Sequence, residues 1–206
     1  RGLGDVYKRQ GRVMQQAFRG MTLLDYAINA SLVLSYVAMR KEDKAGLVTF
    51  DEHFDTFVPA SRQPGYMQTL LENLYSQQTT FGETDFSALC VHLNKHVGKR
   101  SLLVLYTNFS SIGSMNRQLS YLKQLNHRHR LLVVFFEDAD LKEYIAQPAK
   151  DTEGYYRHVI AEKFAYEKRL IVSTLKQHGI DSLLTTPENL SIDVINKYLA
   201  VSYTHL

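Results

Sequence analysis

Two apolar segments decide the fold of this chain: SLLVLYT at residues 101–107 and RLLVVFF at residues 130–136. Each is a continuous apolar run next to basic residues, which is typical of a parallel strand buried on both faces. Between them, apolar residues recur at helical spacing over Ser114–Asn126. A helix that joins two parallel strands forms a βαβ unit, so this stretch predicts a parallel sheet covered by helices.

Helices and short strands alternate along the rest of the chain. Gly179 is placed to end a long helix, because glycine tolerates the left-handed conformation common after a helix C-terminus. The predicted elements are a buried helix over Met21–Lys44, a hairpin of strands Ala45–Phe50 and Phe54–Val58, helices over Gly65–Gln77, Thr84–Val97, Asp138–Ala146, Glu153–His178 and Pro187–Leu199, and a short edge strand over Ile180–Thr185.

The composition suits one compact globular domain and excludes several classes of protein. Of 206 residues, 45% are apolar and 22% charged, and the net charge of +3 comes from scattered basic residues, which does not indicate a nucleic-acid partner. No apolar run reaches the roughly 18 to 20 residues of a membrane span. The single cysteine, Cys90, excludes an internal disulfide framework and is predicted to lie in the core. Phosphate-loop, dinucleotide and nucleophile-elbow motifs are all missing, so no enzyme is predicted.

Both ends of the chain look unlike natural protein sequence. DVYKRQ at residues 5–10 and VSYTHL at residues 201–206 can be encoded by one short DNA and its reverse complement. That DNA is similar to the transposase end used in sequencing adapters. We therefore expect residues 1–10 and 201–206 to be adapter-derived and residues 11–200 to be a fragment of a natural domain.

Three segments resemble a bacterial family of unknown function, number 58 in the domain-of-unknown-function series: GMTLLDYAIN at 20–29, KAGLVTF at 44–50 and AEKFAYEKR at 161–169. The order of elements is similar to that of a von Willebrand factor A domain entered after its first strand. The resemblance implies a three-layer, Rossmann-like α/β fold with a mostly parallel sheet, one antiparallel hairpin strand and a truncated first strand. That first strand would lie between the strands at 45–50 and 101–107.

The same resemblance implies a cellular setting and a partner. Members of this family typically carry membrane-spanning helices upstream and are encoded beside MoxR-type AAA+ ATPases. We therefore expect a cytoplasmic domain whose parent protein is anchored at the inner membrane, and a MoxR-type ATPase as its protein partner.

A von Willebrand factor A domain is also expected to hold Mg²⁺ at a metal-ion-dependent adhesion site, built from a DxSxS loop, a threonine and an aspartate. Here Gly11-Arg12-Val13 stands where the loop hydroxyls belong, Thr84 matches the threonine, and Asn108 replaces the aspartate. Mg²⁺ demands nearly octahedral oxygen ligands, and glycine and valine offer none from their side chains. The resemblance therefore implies a degenerate site with weak or absent Mg²⁺ binding, and no other cofactor.

Three polar residues follow the two apolar strands and are candidates for partner binding: Asn108, Glu137 and Asp138. Folds of this class bind ligands at the carboxyl edge of a parallel sheet, where these residues are expected. The alternatives are a strand-end turn for Asn108 and a solvated loop for the two acids. Thr84 is alternatively a helix cap, because threonine accepts a hydrogen bond from the first turn of a helix.

One alternative function comes from a histidine pair. His92 and His96 stand four residues apart, so they share one face of a helix and could bind a transition metal. No glutamate follows His92 as in an HExxH site, which favours an ordinary surface pair. The leading hypothesis is a non-enzymatic protein-interaction domain. The alternative is a metal-dependent hydrolase that uses His92, His96 and the acidic sheet edge.

Overall fold

A computed structural model describes residue 14 and residues 17–50, 54–75, 85–109, 111–137, 139–146 and 151–203. Over these ranges the chain is a mixed α/β protein with seven helices and three small sheets. It divides into two compact units, one of Arg1–Arg100 with Pro187–Leu206 and one of Ser101–Thr186. The elements are β1 (Ala17–Phe18), β2 (Met21–Thr22), α1 (Leu23–Arg40), β3 (Ala45–Phe50), β4 (Phe54–Ser61), α2 (Tyr66–Tyr75), α3 (Phe86–His96), β5 (Leu102–Tyr106), α4 (Ile112–Arg128), β6 (Arg130–Phe136), α5 (Ala139–Ala146), α6 (Thr152–Gln177), β7 (Asp181–Thr185) and α7 (Leu190–Tyr203).

The unit of residues 101–186 contains the predicted βαβ arrangement. Its three strands are all parallel and lie in the order β5-β6-β7, with Leu102 paired to Arg130 and Leu132 paired to Asp181. Helix α4 contacts β6, while α6 contacts both α4 and β7. The predicted parallel sheet, its crossover helix and the edge position of β7 are therefore confirmed for the described residues.

The two apolar strands differ in burial, although their sequences predict the same environment. In β6, every residue from Leu131 to Phe136 is buried, as predicted. In β5, only Leu105 is buried and the other four residues are half-buried, so the prediction of burial on both faces is wrong for this strand. The reason is position: β6 has a neighbouring strand on each side, whereas among the described strands β5 pairs with β6 alone.

Side-chain hydrogen bonds hold the amino edge of this sheet. Asn126, near the end of α4, donates to the Gly179 carbonyl at 3.0 Å and accepts from the Leu131 backbone N–H at 3.1 Å. Gly179 has a φ of +69°, which confirms it as the glycine that ends the long helix. Arg130 also forms an ion pair with Asp181, at 2.9 Å, between the first residues of β6 and β7.

The other unit is built on α1 and the β3–β4 hairpin. Helix α1 begins at Leu23 and not at the predicted Met21, because Met21 and Thr22 pair with β1 and Thr22 caps the helix in a capping box with Asp25. The hairpin is confirmed, and its strands form a sheet of their own in the described part of the chain. One cluster of buried residues in this unit consists of Leu32, Ala45, Val58, Leu70 and Leu74.

Helix α3 does not use the cap that the sequence suggests. Its N-cap is Asp85, whose carboxylate accepts from the backbone N–H groups of Ser87 at 2.8 Å and Ala88 at 3.0 Å. The prediction of Thr84 as the cap is therefore wrong, because a carboxylate one residue later accepts two of the unpaired N–H groups of the first turn. The predicted core position of Cys90 is confirmed, since it is 2% exposed.

Several expectations concern the ends of the chain. Residues 1–13, which include the expected adapter-derived segment at the N-terminus and the Gly11–Val13 stretch, lie outside the described residues. Helix α7 continues to Tyr203, past the predicted end at Leu199. Among the helices of the described ranges, none combines the length and the apolar character needed to cross a membrane.

Candidate functional site

The carboxyl ends of β5, β6 and β7 lie at one edge of the parallel sheet, and this edge carries the candidate site. Two backbone hydrogen bonds continue the ladder beyond the strands, from the Thr107 N–H to the Val134 carbonyl at 3.0 Å and from the Glu137 N–H to the Thr185 carbonyl at 2.8 Å. They hold the residues that follow β5 and β6 in register with the sheet. The structure therefore places Asn108 and Glu137 at the same edge, as predicted.

A lysine from α6 completes this edge. The Lys168 ammonium donates a hydrogen bond to the Asn108 side-chain oxygen, across 60 residues of sequence. The same nitrogen lies 5.8 Å from the ring centroid of Phe135, which is fully buried in β6. This distance is within the range of a cation–π contact. Two separate contacts therefore hold the ammonium at the carboxyl edge.

The chemistry of lysine settles the orientation of the Asn108 amide. An ammonium group has three donors and no acceptor, so the amide oxygen must face Lys168. The N–H₂ group is on the other branch of the planar amide and faces away from the ammonium. The edge therefore contains two kinds of donor group, a charged ammonium and a neutral amide N–H₂, on two half-buried side chains.

The same arrangement disfavours a divalent cation at Asn108. The side-chain oxygen is the one atom of the Asn108 amide that could bind a hard metal such as Mg²⁺. This oxygen already accepts a hydrogen bond from the Lys168 ammonium. A metal would have to displace the ammonium or lie next to it, and two like charges at about 4 Å repel by several kcal/mol at a partly buried site.

The other residues predicted for this site differ in whether the structure describes them. Glu137 is half-buried at the end of β6. Asp138, Thr84 and the Gly11–Val13 stretch lie outside the described residues. Across the described ranges, no three His, Cys, Asp or Glu side chains are grouped in a way that could hold a metal ion.

The histidine pair on α3 does share one helix face. The rings of His92 and His96 are stacked, with centroids 5.7 Å apart and planes 10° from parallel. His96 Nδ1 lies 2.9 Å from the His92 carbonyl oxygen, and its ring lies 5.2 Å from the ring of Phe57. A hydrogen bond at Nδ1 leaves Nε2 as the metal-ligating nitrogen of His96. The pair would supply at most two of the three protein ligands that a catalytic zinc usually has.

Burial makes Cys90 a poor candidate for a nucleophile at neutral pH. Its burial raises the pKa of the thiol to about 11. Because the thiolate is the reactive form, nearly all of the sulfur stays in the unreactive protonated state near pH 7. This agrees with its position in the core.

Lys168 is the residue of this edge that the sequence does not reveal. It belongs to the AEKFAYEKR segment, whose mixed charges at helical spacing indicate a packed helix with a charged outer face, with a docking surface as the alternative. No local pattern connects it with Asn108, 60 positions earlier.

The chain matches a known protein family. The family described as "Protein of unknown function DUF58" matches residues 15–144, which is more than half of the chain. None of the curated proteins matches the chain. The match covers α1, the β3–β4 hairpin and both strands of the βαβ unit, so the chain belongs to the DUF58 family.

Proposed function

We propose that this chain is a von Willebrand factor A-like domain that acts as a non-enzymatic protein-interaction module. In this proposal the carboxyl edge of the parallel sheet is a degenerate metal-ion-dependent adhesion site, and a protein partner docks there without a firmly bound metal. The proposed partner is a MoxR-type AAA+ ATPase in a bacterial envelope-associated system. The domain would face the cytoplasm on a parent protein anchored at the inner membrane.

The observation that carries this proposal is the contact between Lys168 and Asn108. At the edge where parallel α/β sheets bind ligands, the oxygen available for a metal is taken by an ammonium group. A site of this kind keeps the shape and polarity of a binding edge, while the positive charge comes from the protein. Such an arrangement supports recognition of a macromolecule more directly than catalysis.

The order of elements also supports the proposal. A βαβ unit with parallel strands in the order β5-β6-β7 and helices α4 and α6 in contact is compatible with the second half of a von Willebrand factor A domain. The ATPase and the membrane-anchored parent rest on the family resemblance alone.

The test is a pull-down of a MoxR-type ATPase by the chain and by variants of the carboxyl edge. Asn108→Ala and Glu137→Ala are expected to weaken capture about tenfold each, as is usual when a well-placed polar contact of an interface is removed. Arg128→Ala is the matched control, because Arg128 is exposed at the end of α4, next to the amino edge of the same sheet. It should capture the ATPase as the unmodified chain does.

Capture that is unaffected by both edge variants would show that the ATPase does not dock at this edge. Capture that needs Mg²⁺ and is lost with a chelator would contradict the metal-free part of the proposal. The two results are independent, so the first tests the docking edge and the second tests whether docking needs a metal.

A further inference from the structure

We propose that this chain forms a two-fold symmetric dimer through an exposed apolar face of α6, so that the partner of this face is a second copy of the chain. We call this face the tyrosine stripe, and it consists of Tyr155, Tyr156, Val159, Ile160 and Tyr166. The stripe is not part of the carboxyl edge of the sheet. The inference therefore goes beyond the proposed function and does not rest on it.

The five residues of the tyrosine stripe share one side of their helix. At 3.6 residues per turn, they lie within an arc of about 140° on the surface of α6. The buried residues of the same helix, Ala161, Ile171 and Leu175, lie outside this arc. Single exposed apolar residues are ordinary on a protein surface, whereas a contiguous apolar patch marks an interaction site. Helix α6 therefore has one apolar side packed within the protein and a second one that faces solvent.

The area of the tyrosine stripe matches the needs of a weak dimer. The tyrosines at 155, 156 and 166 are 63%, 67% and 59% exposed, and Val159 and Ile160 are 47% and 39% exposed. Because a tyrosine buries about 150–250 Å² when it is covered, the stripe exposes roughly 400–600 Å². Two copies that face each other would bury about 1,000 Å² in total, which is the lower limit for a specific interface. Tyrosine is also enriched in protein interfaces.

The charges among and beside the stripe favour a second copy over a strongly charged partner. Glu162 and Glu167 are acidic, while Lys163 and Arg169 are basic, so the two signs balance. A face with a net charge repels its own copy and attracts a partner of the opposite sign. A balanced face does neither. Self-association through the stripe therefore meets no electrostatic barrier.

Helical spacing gives the lysine of the stripe a role in this dimer. Tyr156 and Lys163 are seven residues apart, so they lie at nearly the same angle on α6. When two copies of α6 pair antiparallel around an axis between Val159 and Ile160, Tyr156 of each copy lies opposite Lys163 of the other. An ammonium group over a tyrosine ring is favourable, and the lysine stem packs along apolar surface. The two-fold pairing therefore accommodates this charge within the interface.

The dimer is tested by sedimentation equilibrium over a range of concentrations of the chain. We expect a reversible dimer with a Kd of about 100 μM or tighter. Tyr156→Glu and Lys163→Glu are each expected to weaken the dimer about tenfold or more, because each change occurs twice in a two-fold interface. Tyr36→Glu is the matched control, since Tyr36 is 54% exposed on α1 and lies outside the stripe. It should dimerise as the unmodified chain does, and circular dichroism checks that each variant is folded.

Cysteine cross-linking tests the geometry of the pairing. Val159→Cys places a thiol next to the proposed two-fold axis, where a short bismaleimide should join the two copies. Cys90 is 2% exposed, so it should contribute little background. Val33→Cys is the matched control, because Val33 is 41% exposed on α1 and lies outside the stripe. This control should stay free of covalent dimer.

Several results would overturn the inference. A chain that stays monomeric up to about 500 μM would show that the stripe does not bind a second copy. A dimer that is unchanged in Tyr156→Glu and Lys163→Glu, or that is lost in a folded Tyr36→Glu, would have its interface elsewhere. Equal cross-linking of Val159→Cys and Val33→Cys would contradict the antiparallel pairing. None of these results depends on whether the ATPase docks at the carboxyl edge.

Discussion

Replacing Gly46 by alanine tests how closely β3 and β4 approach each other. Gly46 lies where the register of the hairpin shifts between Ala45 and Leu47. A methyl group added at Gly46 would lie 2.8 Å from the Ala60 backbone nitrogen and 2.8 Å from the Val58 carbonyl oxygen. Both neighbours are backbone atoms of β4, so no side chain can rotate away. The two strands themselves would have to separate.

The cost follows from this distance. Ordinary contact begins at 3.4 Å, so the backbones would have to part by roughly 0.6 Å at their closest point. Forcing an additional methyl group into a packed site costs about 1–3 kcal/mol. Alanine recovers about 0.4–1 kcal/mol by restricting the unfolded chain. We therefore expect Gly46→Ala to lose about 1–2 kcal/mol of unfolding free energy, and its Tm to fall by roughly 2–8 °C for a chain of this size.

The measurement is thermal and urea unfolding followed by circular dichroism, with Gly98→Ala as the matched control. A methyl group at Gly98 meets nothing within 4 Å, and its backbone needs no left-handed conformation. Gly98→Ala should therefore change the unfolding free energy by no more than about 0.5 kcal/mol. If Gly46→Ala and Gly98→Ala have the same Tm and the same free energy of unfolding, the close approach of β3 and β4 is refuted.

Three further predictions concern single side chains. The Tyr198 hydroxyl donates a hydrogen bond to the Asp43 carboxylate at 2.5 Å, and burial together with Asp43 raises the pKa of Tyr198 to about 12. The folded state therefore holds this proton more tightly than the unfolded state does. The resulting contribution to the free energy of unfolding is complete below about pH 10 and is lost as the pH rises through about 12. Measured by urea unfolding, the free energy of unfolding of Tyr198→Phe should therefore fall less between about pH 10 and 12 than that of the unmodified chain. Identical pH profiles for the two proteins would contradict this. Asn126→Ala should lose about 1–3 kcal/mol of unfolding free energy, because two hydrogen bonds disappear, whereas a change within error would show that they contribute nothing. The hydrolase alternative predicts tight Zn²⁺ binding that disappears in His92→Ala and His96→Ala, and calorimetry showing equal, weak binding in all three proteins would remove it.

The βαβ unit could be predicted from the sequence because its signals are local. A run of apolar residues such as Leu131–Phe136 is buried on both faces wherever a central parallel strand is formed, and the apolar spacing of α4 marks the side that faces the sheet. The same reasoning overestimates the burial of β5, whose sequence is equally apolar. The burial of a strand depends on how many strands pair with it, and the sequence of β5 by itself does not show that number.

The cap of α3 shows a second limit. Thr84 and Asp85 are adjacent and both are good N-cap residues, so the sequence pattern permits either. The structure selects Asp85, whose carboxylate reaches two backbone N–H groups of the first turn. A choice between neighbouring caps depends on the angle at which the chain enters the helix, which is decided by the packing of that helix.

By itself, the sequence determined the order and type of the elements from α1 onward, the position of Asn108 and Glu137 after parallel strands, and the core position of Cys90. These follow from local periodicity, because the repeat of a helix or strand fixes which side chains face the core. Only the tertiary structure decided that Lys168 reaches Asn108, since the two lie 60 residues apart and meet through the packing of α6 against the sheet. The charge at the candidate binding edge therefore depends on helix packing, and no local pattern in the sequence encodes it.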